Sequence, residues 1–504
     1  MTNSYKSFAK DNGGRVSLLF LLFLLAIYEF VTAGFSTFAI VCLIPVMVLA
    51  VIFAFRKPLM VFWILIVVNY FIQMHGLKNP LPTSLPNELL EIILLVLAII
   101  DVQGSRFERC GNIMLGTLMI WCGFCTLQVL NDTCDVGVDV GAWYTTARSI
   151  AFQLLYAFLV FTIYINTPKN LVKYLYLWGA LALFAAFWVW KQKNIGFTDA
   201  ESSWINGRGR STHIIQGGTL IRYFSIYSDA ANFGIGIAST AVAFLIFGIT
   251  SKINKHRICF LIIGLACAWA MFPSGTRTAM ACFLAGILAY VFVSKSLKIA
   301  IPVSIAFAIF VFILAFTDIG NGNSQIRRMR TLFDREDASA NARSINQEAM
   351  KKYLAEAPWG IGMGVGYNNV PANNKYTFMA TVPPDSEYVF IWIHTGIIGI
   401  TVFLICTFFM MFGAFWIIFF KLKSSSLRGI GGGFLCAMVS QQLGGYGNQV
   451  LMQFPNCLVF YGGLTIVYIL PYIENEWIAY EEGELKKQAE KKRLKLEKKA
   501  ASRV

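Results

Sequence analysis

Residues 383–420 read PPDSEYVFIWIHTGIIGITVFLICTFFMMFGAFWIIFF: a polar, turn-forming run from Pro383 to Tyr388 passes straight into an apolar stretch that continues to Phe420. About 20 apolar residues cross a hydrocarbon core of roughly 30 Å as a helix, so this stretch is expected to be a tilted membrane helix, or a short re-entrant piece followed by a span. Upstream lies the polar segment Thr317 to Asp385, with a basic cluster (Arg327, Arg328, Arg330, Arg335), an amphipathic helix starting near Asn341 and Arg343, and the glycine-rich Pro358 to Tyr367. It is a water-exposed island between two very apolar blocks, and the chemistry of the chain is sought there.

Composition explains the blocks. Of 504 residues, 57% are hydrophobic and 14% charged, with a mean hydropathy of +0.61, which excludes an ordinary soluble globule. The spans expected are 15–33, 36–54, 58–75, 86–102, 111–131, 146–166, 170–190, 226–250, 256–273, 277–295, 298–316, 386–420, 429–448 and 453–472. They give an all-α polytopic membrane protein with about 12 to 14 transmembrane helices and one large polar loop, since barrel strands would be shorter and alternate. The segment Val16 to Val31 lacks a small-residue cleavage site and reads as a retained anchor. Eleven cysteines lie mostly inside apolar spans as small hydrophobes, and no paired Cys-x-x-Cys or histidine pattern marks a metal site; no cofactor is expected.

Lysine and arginine set the orientation, because positive connections stay cytoplasmic. Arg56 and Lys57, Arg106 and Arg109, Lys169, Lys252 with Lys255 and Arg257, Lys295 and Lys298, and Lys421 with Lys423 and Arg428 fall in strict alternation with the tails. Both termini are therefore expected in the cytoplasm. The opposite parity holds 76–85, Asp132 to Asp139, 191–225, the Pro273 to Arg277 corner and the 317–385 island. Several arginines stand there against the insertion bias: Arg208, Arg210, Arg222, Arg277, the Arg327 to Arg335 cluster and Arg343. An anionic ligand outside is the natural reason. After Pro471 the tail turns basic and reads as a helix against anionic lipid; spread in this way, the net charge of +15 speaks for topology and not for nucleic acid.

Candidate site residues follow from these departures. Arg222 stands above Ser225, Ser228, Asp229 and Asn232, whose spacing suggests one polar helix face entering the membrane. Pro273-Ser274-Gly275-Thr276-Arg277 is a tight corner in which Arg277 opens a helix, where backbone N–H groups and the guanidinium could hold one anion. Arg343 begins a helix whose stripe of Ile345, Ala349, Tyr353 and Leu354 suggests that it lies flat on the outer surface. Gly360 to Gly366 lacks a preceding strand, so a close-packed or flexible turn is favoured over a nucleotide loop. Asp385, beside Ser386 and Glu387, can serve as a general base toward a hydroxyl, or as a helix cap.

Taken together, the arginine before a polar span, Ser274-Gly275-Thr276-Arg277, Arg343, Pro358-Trp359-Gly360-Ile361-Gly362, and Asp385-Ser386-Glu387-Tyr388 running into Gly396-Ile397-Ile398-Gly399 resemble the O-antigen ligase and O-antigen polymerase superfamily over roughly Arg222 to Gly399. The resemblance implies a glycosyltransferase C-like membrane enzyme of the bacterial inner membrane. It would move a glycan from undecaprenyl diphosphate to an acceptor hydroxyl at the periplasmic face, without a metal. In that family a loop motif His-Asn-x-Tyr-Leu precedes the long span; here Asp385 and Ser386 stand at the first two positions. By the resemblance Asp385 is the catalytic base, Arg222, Arg277 and Arg343 bind the diphosphate, and Ser225, Asp229, Asn232, Ser274, Ser386, Glu387 and Tyr388 support them. Implied partners are the lipid-linked glycan, a glycan or lipid A core acceptor, membrane lipids and a chain-length regulator. The altered motif leans the reading toward polymerase over ligase. A transporter or flippase of lipid-linked oligosaccharide is the alternative, but no internal repeat supports it. The expected divisions are 1–221, 222–316 with the external arginines, the loop 317–385, 386–472 and the basic tail 473–504.

Overall fold

The computed structural model describes residues 13–14, 17–18, 20–21, 23–24, 28, 48–49, 51–76, 85–137, 139–215, 220–295, 297–322, 324–330, 338–365, 370–381 and 386–501. The chain divides into two units, Met1–Val61 and Phe62–Val504. In the first, the described backbone is helical apart from Lys57, and the expected spans 15–33 and 36–54 lie largely outside the described residues.

From residue 58 onward every expected span coincides with a helix. Seven of the described helical segments are long and apolar enough to cross a membrane: Ile113–Leu130, Val140–Tyr164, Pro168–Asn194, Ala230–Thr250, Asn254–Ser274, Glu387–Lys421 and Asn456–Leu494. Shorter apolar helices cover Pro58–Phe71, Arg277–Val293 and Ile301–Ile313. The protein is an all-α polytopic membrane protein; among the described residues the only sheet is the antiparallel pair Ile214–Ile215 with Leu220–Ile221. The helix expected from 146 starts at Val140, because Asp139 caps it by accepting from Ala142 N–H at 2.9 Å.

Helix Ala230–Thr250 is the centre of the second unit, buried along most of its length between Asn254–Ala270, Arg277–Val293 and Ser425–Gly447. Small residues let these backbones approach. Its start corrects the sequence reading: Asp229 is the cap, accepting from Ala231 and Asn232 N–H at 2.8 and 2.9 Å. Ser225 is thus outside the helix, in a turn at φ 55°, and the single helical face of Ser225, Ser228, Asp229 and Asn232 does not exist. An aspartate that satisfies two free N–H groups ends the extended backbone there and begins the helix.

The long Glu387–Trp416 element is broken. Gly396 has φ 67° and ψ −171°, which opens the helical ladder. The glycine-rich loop fills the gap: Ile361 N–H donates to the Ile393 carbonyl at 2.9 Å, Gly362 N–H to the His394 carbonyl at 3.2 Å, and Ile398 N–H to the Pro358 carbonyl at 3.2 Å. Backbone meets backbone here. A Cβ on Gly396 would fall 2.1 Å from the Pro358 carbonyl oxygen, and one on Gly360 2.5 Å from Gly396 N. The close-packed turn expected for this segment is what forms, as far as Val365; Gly366 lies outside the described residues.

The island has its own core. Met350, Leu354, Ile361, Val365, Tyr376 and Met379 cluster with Cys134, Val389 and Ile393. Helix Ala338–Ala355 buries Met350 and Leu354 against the loop, so of the expected stripe Leu354 is buried, whereas Ile345, 69% exposed, and Ala349 stay on the surface. The island also bonds the 131–139 connection, with Asn131 Nδ2 donating to the Trp359 carbonyl and Asn374 Nδ2 to the Cys134 carbonyl, at 2.8 and 2.7 Å. Through Arg328 it reaches the 272–276 corner, so these connections share one end of the bundle.

The opposite end is tied by the tail. Helix Asn456–Ala501 runs without interruption past Pro471. Glu474 Oε1 accepts from the N–H groups of Lys423 and Ser424, both at 2.7 Å, and buried Glu481 pairs with Lys252 at 2.9 Å.

Candidate active site

Three arginines from three separate stretches meet at the corner 273–277. The corner is built from a single 3₁₀ turn, Phe272–Ser274, followed by Gly275 at φ 56° and Thr276 as the residue before helix Arg277–Val293. Buried Ser274 Oγ closes it, donating to the Met271 carbonyl at 2.6 Å and accepting from Thr276 N–H at 3.2 Å. Arg222 lies over it: Nη2 donates to Thr276 Oγ1 at 2.9 Å, Nη1 to the Thr212 carbonyl at 2.9 Å and Nε to the Ser274 carbonyl at 3.3 Å. Arg328 comes from the island, its Nε donating to the Gly275 carbonyl at 2.7 Å. A Cβ added to Gly275 would touch both, 3.2 Å from Arg222 Cγ and 3.7 Å from Arg328 Cδ.

The electrostatics are those of crowded like charge. Burial, followed by repulsion from Arg222 and Arg277, pushes the Arg328 guanidinium down to about 10. A multivalent anion at this place would relieve that repulsion. The adjoining helix adds its free N–H groups and the positive end of its dipole.

A small aromatic box backs Arg222. His75 and Trp204 lie 4.2 Å apart between ring centroids, Trp204 and His213 4.7 Å, and Trp204 and Phe224 4.8 Å. The hairpin crosses this box, and Arg222 N–H donates to the His213 carbonyl at 2.9 Å. His213 Nε2 accepts from Ala230 N–H at 3.0 Å while Nδ1 faces the Gly209 carbonyl at 3.2 Å, which fixes the neutral tautomer with its proton on Nδ1. Burial first, then the charge of Arg222, holds this imidazole down at about 4. The role of His213 is to join the Arg222 hairpin to the start of the central helix.

Of the residues expected to support catalysis, Asn232, Ser386, Glu387 and Tyr388 bond a segment that sequence reasoning passed over, Gln442 to Asn456. Ser386 Oγ donates to the Gly445 carbonyl at 3.1 Å, Tyr388 OH to Gln442 Oε1 at 2.6 Å, and buried Glu387 accepts from Leu451 N–H at 3.2 Å. On its other flank, Ser228 Oγ donates to Gln453 Oε1 and Asn232 Nδ2 to the Phe454 carbonyl, each at 2.8 Å. Asn456 Nδ2 returns a bond to Asn232 Oδ1 at 2.6 Å. Asn448 Nδ2 donates to Thr278 Oγ1, next to Arg277, at 3.3 Å. One amide-rich turn thus links the arginine corner to the residues that follow position 385. Its signal in the sequence was a run of amides (Gln441, Gln442, Asn448, Gln449, Gln453, Asn456) between two apolar helices.

Asp385 itself lies outside the described residues. Arg343 falls in helix Ala338–Ala355, but its side chain is outside them too. Ser225 serves packing: Oγ donates to the Ala185 carbonyl at 2.7 Å and N–H to Gln192 Oε1 at 2.8 Å. Asp229 acts as the helix cap and takes a bond from Ser228 Oγ at 2.8 Å. Trp188 donates to Glu201 Oε1 at 2.8 Å and Trp204 is sandwiched in the box, while Trp190 is 42% exposed. Arg328 was noted as part of a basic cluster, but only the tertiary fold could single it out from Arg327 and Arg330.

Comparison with known proteins agrees with this geometry. Residues 260–404 match a family model described as O-Antigen ligase. The matched stretch takes in Arg277, Arg328 and the glycine-rich loop and runs on through Ser386 to Tyr388, whereas Arg222 and the amide-rich turn lie beyond it. No curated protein matches the chain in a search by sequence. An O-antigen ligase family match over residues 260–404, on a polytopic helical bundle, supports the resemblance to the O-antigen ligase and polymerase superfamily.

Proposed function

We propose that this protein is a glycosyltransferase of the bacterial inner membrane, moving a glycan from undecaprenyl diphosphate to an acceptor hydroxyl at the periplasmic face, as a surface-polysaccharide polymerase or an O-antigen ligase. The observation that carries this reading is the meeting of Arg222, Arg277 and Arg328 at the corner around Gly275. A diphosphate is a multivalent anion and a leaving group, and cations set in place before reaction stabilise the charge that grows on it. Arg222 and Arg328 are anchored to carbonyls, so they need little reorganisation to meet that charge.

In the proposed reaction Asp385 takes the proton of the acceptor hydroxyl, whose oxygen attacks the anomeric carbon. The bond from that carbon to the diphosphate oxygen breaks with inversion, and undecaprenyl diphosphate leaves against the arginines. Arg343 is proposed as a further contact to the diphosphate. Ser386, Glu387 and Tyr388 act through their bonds to the amide-rich turn, which also bonds Thr278 next to Arg277. The acceptor is a second lipid-linked glycan for a polymerase or lipid A core for a ligase, and a chain-length regulator would be a polymerase's partner.

The experiment is the size distribution of lipid-linked and acceptor-linked glycan in cells lacking the protein, complemented with wild type, Arg277→Ala or Asp385→Asn. Accumulated single repeat units identify a polymerase, and long glycan stranded on undecaprenyl diphosphate identifies a ligase. Restoration of the normal pattern by Arg277→Ala would remove the arginine corner from the reaction, and restoration by Asp385→Asn would remove the base.

A further inference from the structure

On the same end of the bundle lies a second feature with the opposite chemistry. A cavity of about 310 Å³ opens between the 128–143 connection and the glycine-rich loop, lined by Gln128, Asn131, Asp139 and Trp143 with Gly364 and Val365 behind. Its volume is at the lower end of small-molecule sites, roughly 300 to 1,000 Å³, enough for one or two sugar rings. Asp139 is the one charged side chain among its lining residues, and no cation lines it. A phosphate would be repelled there.

Its walls are fixed. Trp143 Nε1 donates to the Cys125 carbonyl at 2.9 Å, which holds the indole ring in place, and Asn131 Nδ2 is held by Gln128 Oε1 and the Trp359 carbonyl, both at 2.8 Å. Asp139 Oδ1 is engaged with Ala142 N–H at 2.9 Å, but Oδ2 has no partner among the described residues. A carboxylate oxygen that accepts from hydroxyls, amides beside it and a pinned aromatic ring for apolar C–H faces are the groups that hold a neutral sugar. Gly364 closes the back so tightly that a Cβ there would sit 3.0 Å from the Asp139 carbonyl oxygen.

The cavity is also joined to the helix that follows Asp385. The Val365 carbonyl in its wall faces His394 Nε2 at 3.2 Å, and Ile361 and Gly362 bond the carbonyls of Ile393 and His394. We infer that this cavity is a subsite for an uncharged saccharide, holding a sugar ring of the glycan or its acceptor while the arginine corner holds the diphosphate. The assignment to this reaction rests on the proposed transferase reading; binding of a neutral sugar does not.

Saturation-transfer NMR on the full chain in lipid nanodiscs tests it, with N,N′-diacetylchitobiose, lactose and maltose as neutral probes and glucose and glucose 6-phosphate as a matched pair, while 31P line broadening follows inorganic pyrophosphate at the arginine corner. Asp139→Asn keeps a good helix cap but loses the anionic acceptor, and should weaken the bound neutral sugar about tenfold, the scale of one charged hydrogen bond. Val136→Trp, at a residue 36% exposed on the rim, should abolish sugar binding by filling the space, with pyrophosphate binding unchanged in both variants. No saturation transfer to any neutral probe, sugar binding unaltered by Val136→Trp, or glucose 6-phosphate binding as tightly as glucose would each overturn the subsite. Loss of pyrophosphate binding in the wild type would instead count against the arginine corner.

Discussion

Arg328 reaches back 53 positions to the Gly275 carbonyl, where burial and the charges of Arg222 and Arg277 lower the pKa of its guanidinium and favour a bound anion. Replacing it with glutamine should leave the corner folded, because Gly275 is held by its own turn, yet lower glycan transfer in membranes by about 100-fold, the usual scale for one lost transition-state donor. Rescue by lysine should be partial, since one ammonium cannot both bond the carbonyl and face the anion as the guanidinium fork does. Equal transfer rates in Arg328→Gln and wild type would exclude the role. His213 makes a different residue-scale prediction. Its ordinary value of 6.5 falls to about 4 in the fold, so below pH 6.5 the unfolded chain takes up a proton that the folded chain refuses. Stability is fully present above that pH and is lost progressively toward pH 4; half-buried His75, also lowered, acts in the same direction. Thermal unfolding of the purified protein should show this acid slope, and His213→Gln, which keeps an acceptor for Ala230 N–H, should flatten it.

At the scale of elements, hydropathy alone located the helices from residue 58 onward, because a span's length is imposed by the bilayer and needs no tertiary information. Where the reading failed, local chemistry had won over periodicity: Asp229 starts the central helix, and Ser225 falls outside it. The corner 273–277 was legible since proline, serine and glycine between apolar runs leave one geometry. The amide-rich turn was not, because amides without a period say nothing of their partners until the fold supplies them. The break at Gly396 was legible only as an alternative, and it carries the sharpest test. Gly396→Ala must adopt φ 67° and push its Cβ onto the Pro358 carbonyl oxygen, so the loop and helix have to part. Strain alone is about 1–2 kcal/mol, and the clash adds to it. Limited proteolysis should open the island in this variant but not in Gly399→Ala, which keeps helical backbone and meets only side chains. A second element prediction concerns Arg148, paired with buried Glu88 at 3.0 Å beside a π-helical turn. Arg148→Met removes the cation from that buried carboxylate and should destabilise the bundle by roughly 3–5 kcal/mol, seen as a lower Tm, whereas the double change with Glu88→Leu should recover much of the loss.

The whole molecule has two chemically distinct ends. At one, the 131–139 connection, the 272–276 corner and the island bond one another and hold the arginine corner and the carboxylate-lined cavity. At the other, Lys252 pairs with Glu481, Lys295 lies 4.4 Å over Phe419, Arg109 lies 5.5 Å over Tyr472, and Glu474 caps the helix after Lys423. The bundle thus sorts its connections into the same two sets that the alternation of lysine and arginine demands, although charge bias and packing are independent constraints. If that bias sets the orientation, the end with the arginine corner faces the periplasm. Single cysteines placed in a cysteine-free background distinguish the two orientations. Thr133→Cys, Arg208→Cys and Glu356→Cys, on exposed or half-buried connections of the first end, should react with a membrane-impermeant maleimide in intact spheroplasts. Lys255→Cys and Lys421→Cys, at the second end, should react only after permeabilisation. Labelling of the second set in intact spheroplasts would turn the molecule over and leave its arginines facing the cytoplasm, where a glycan transferred outside the cell could not reach them.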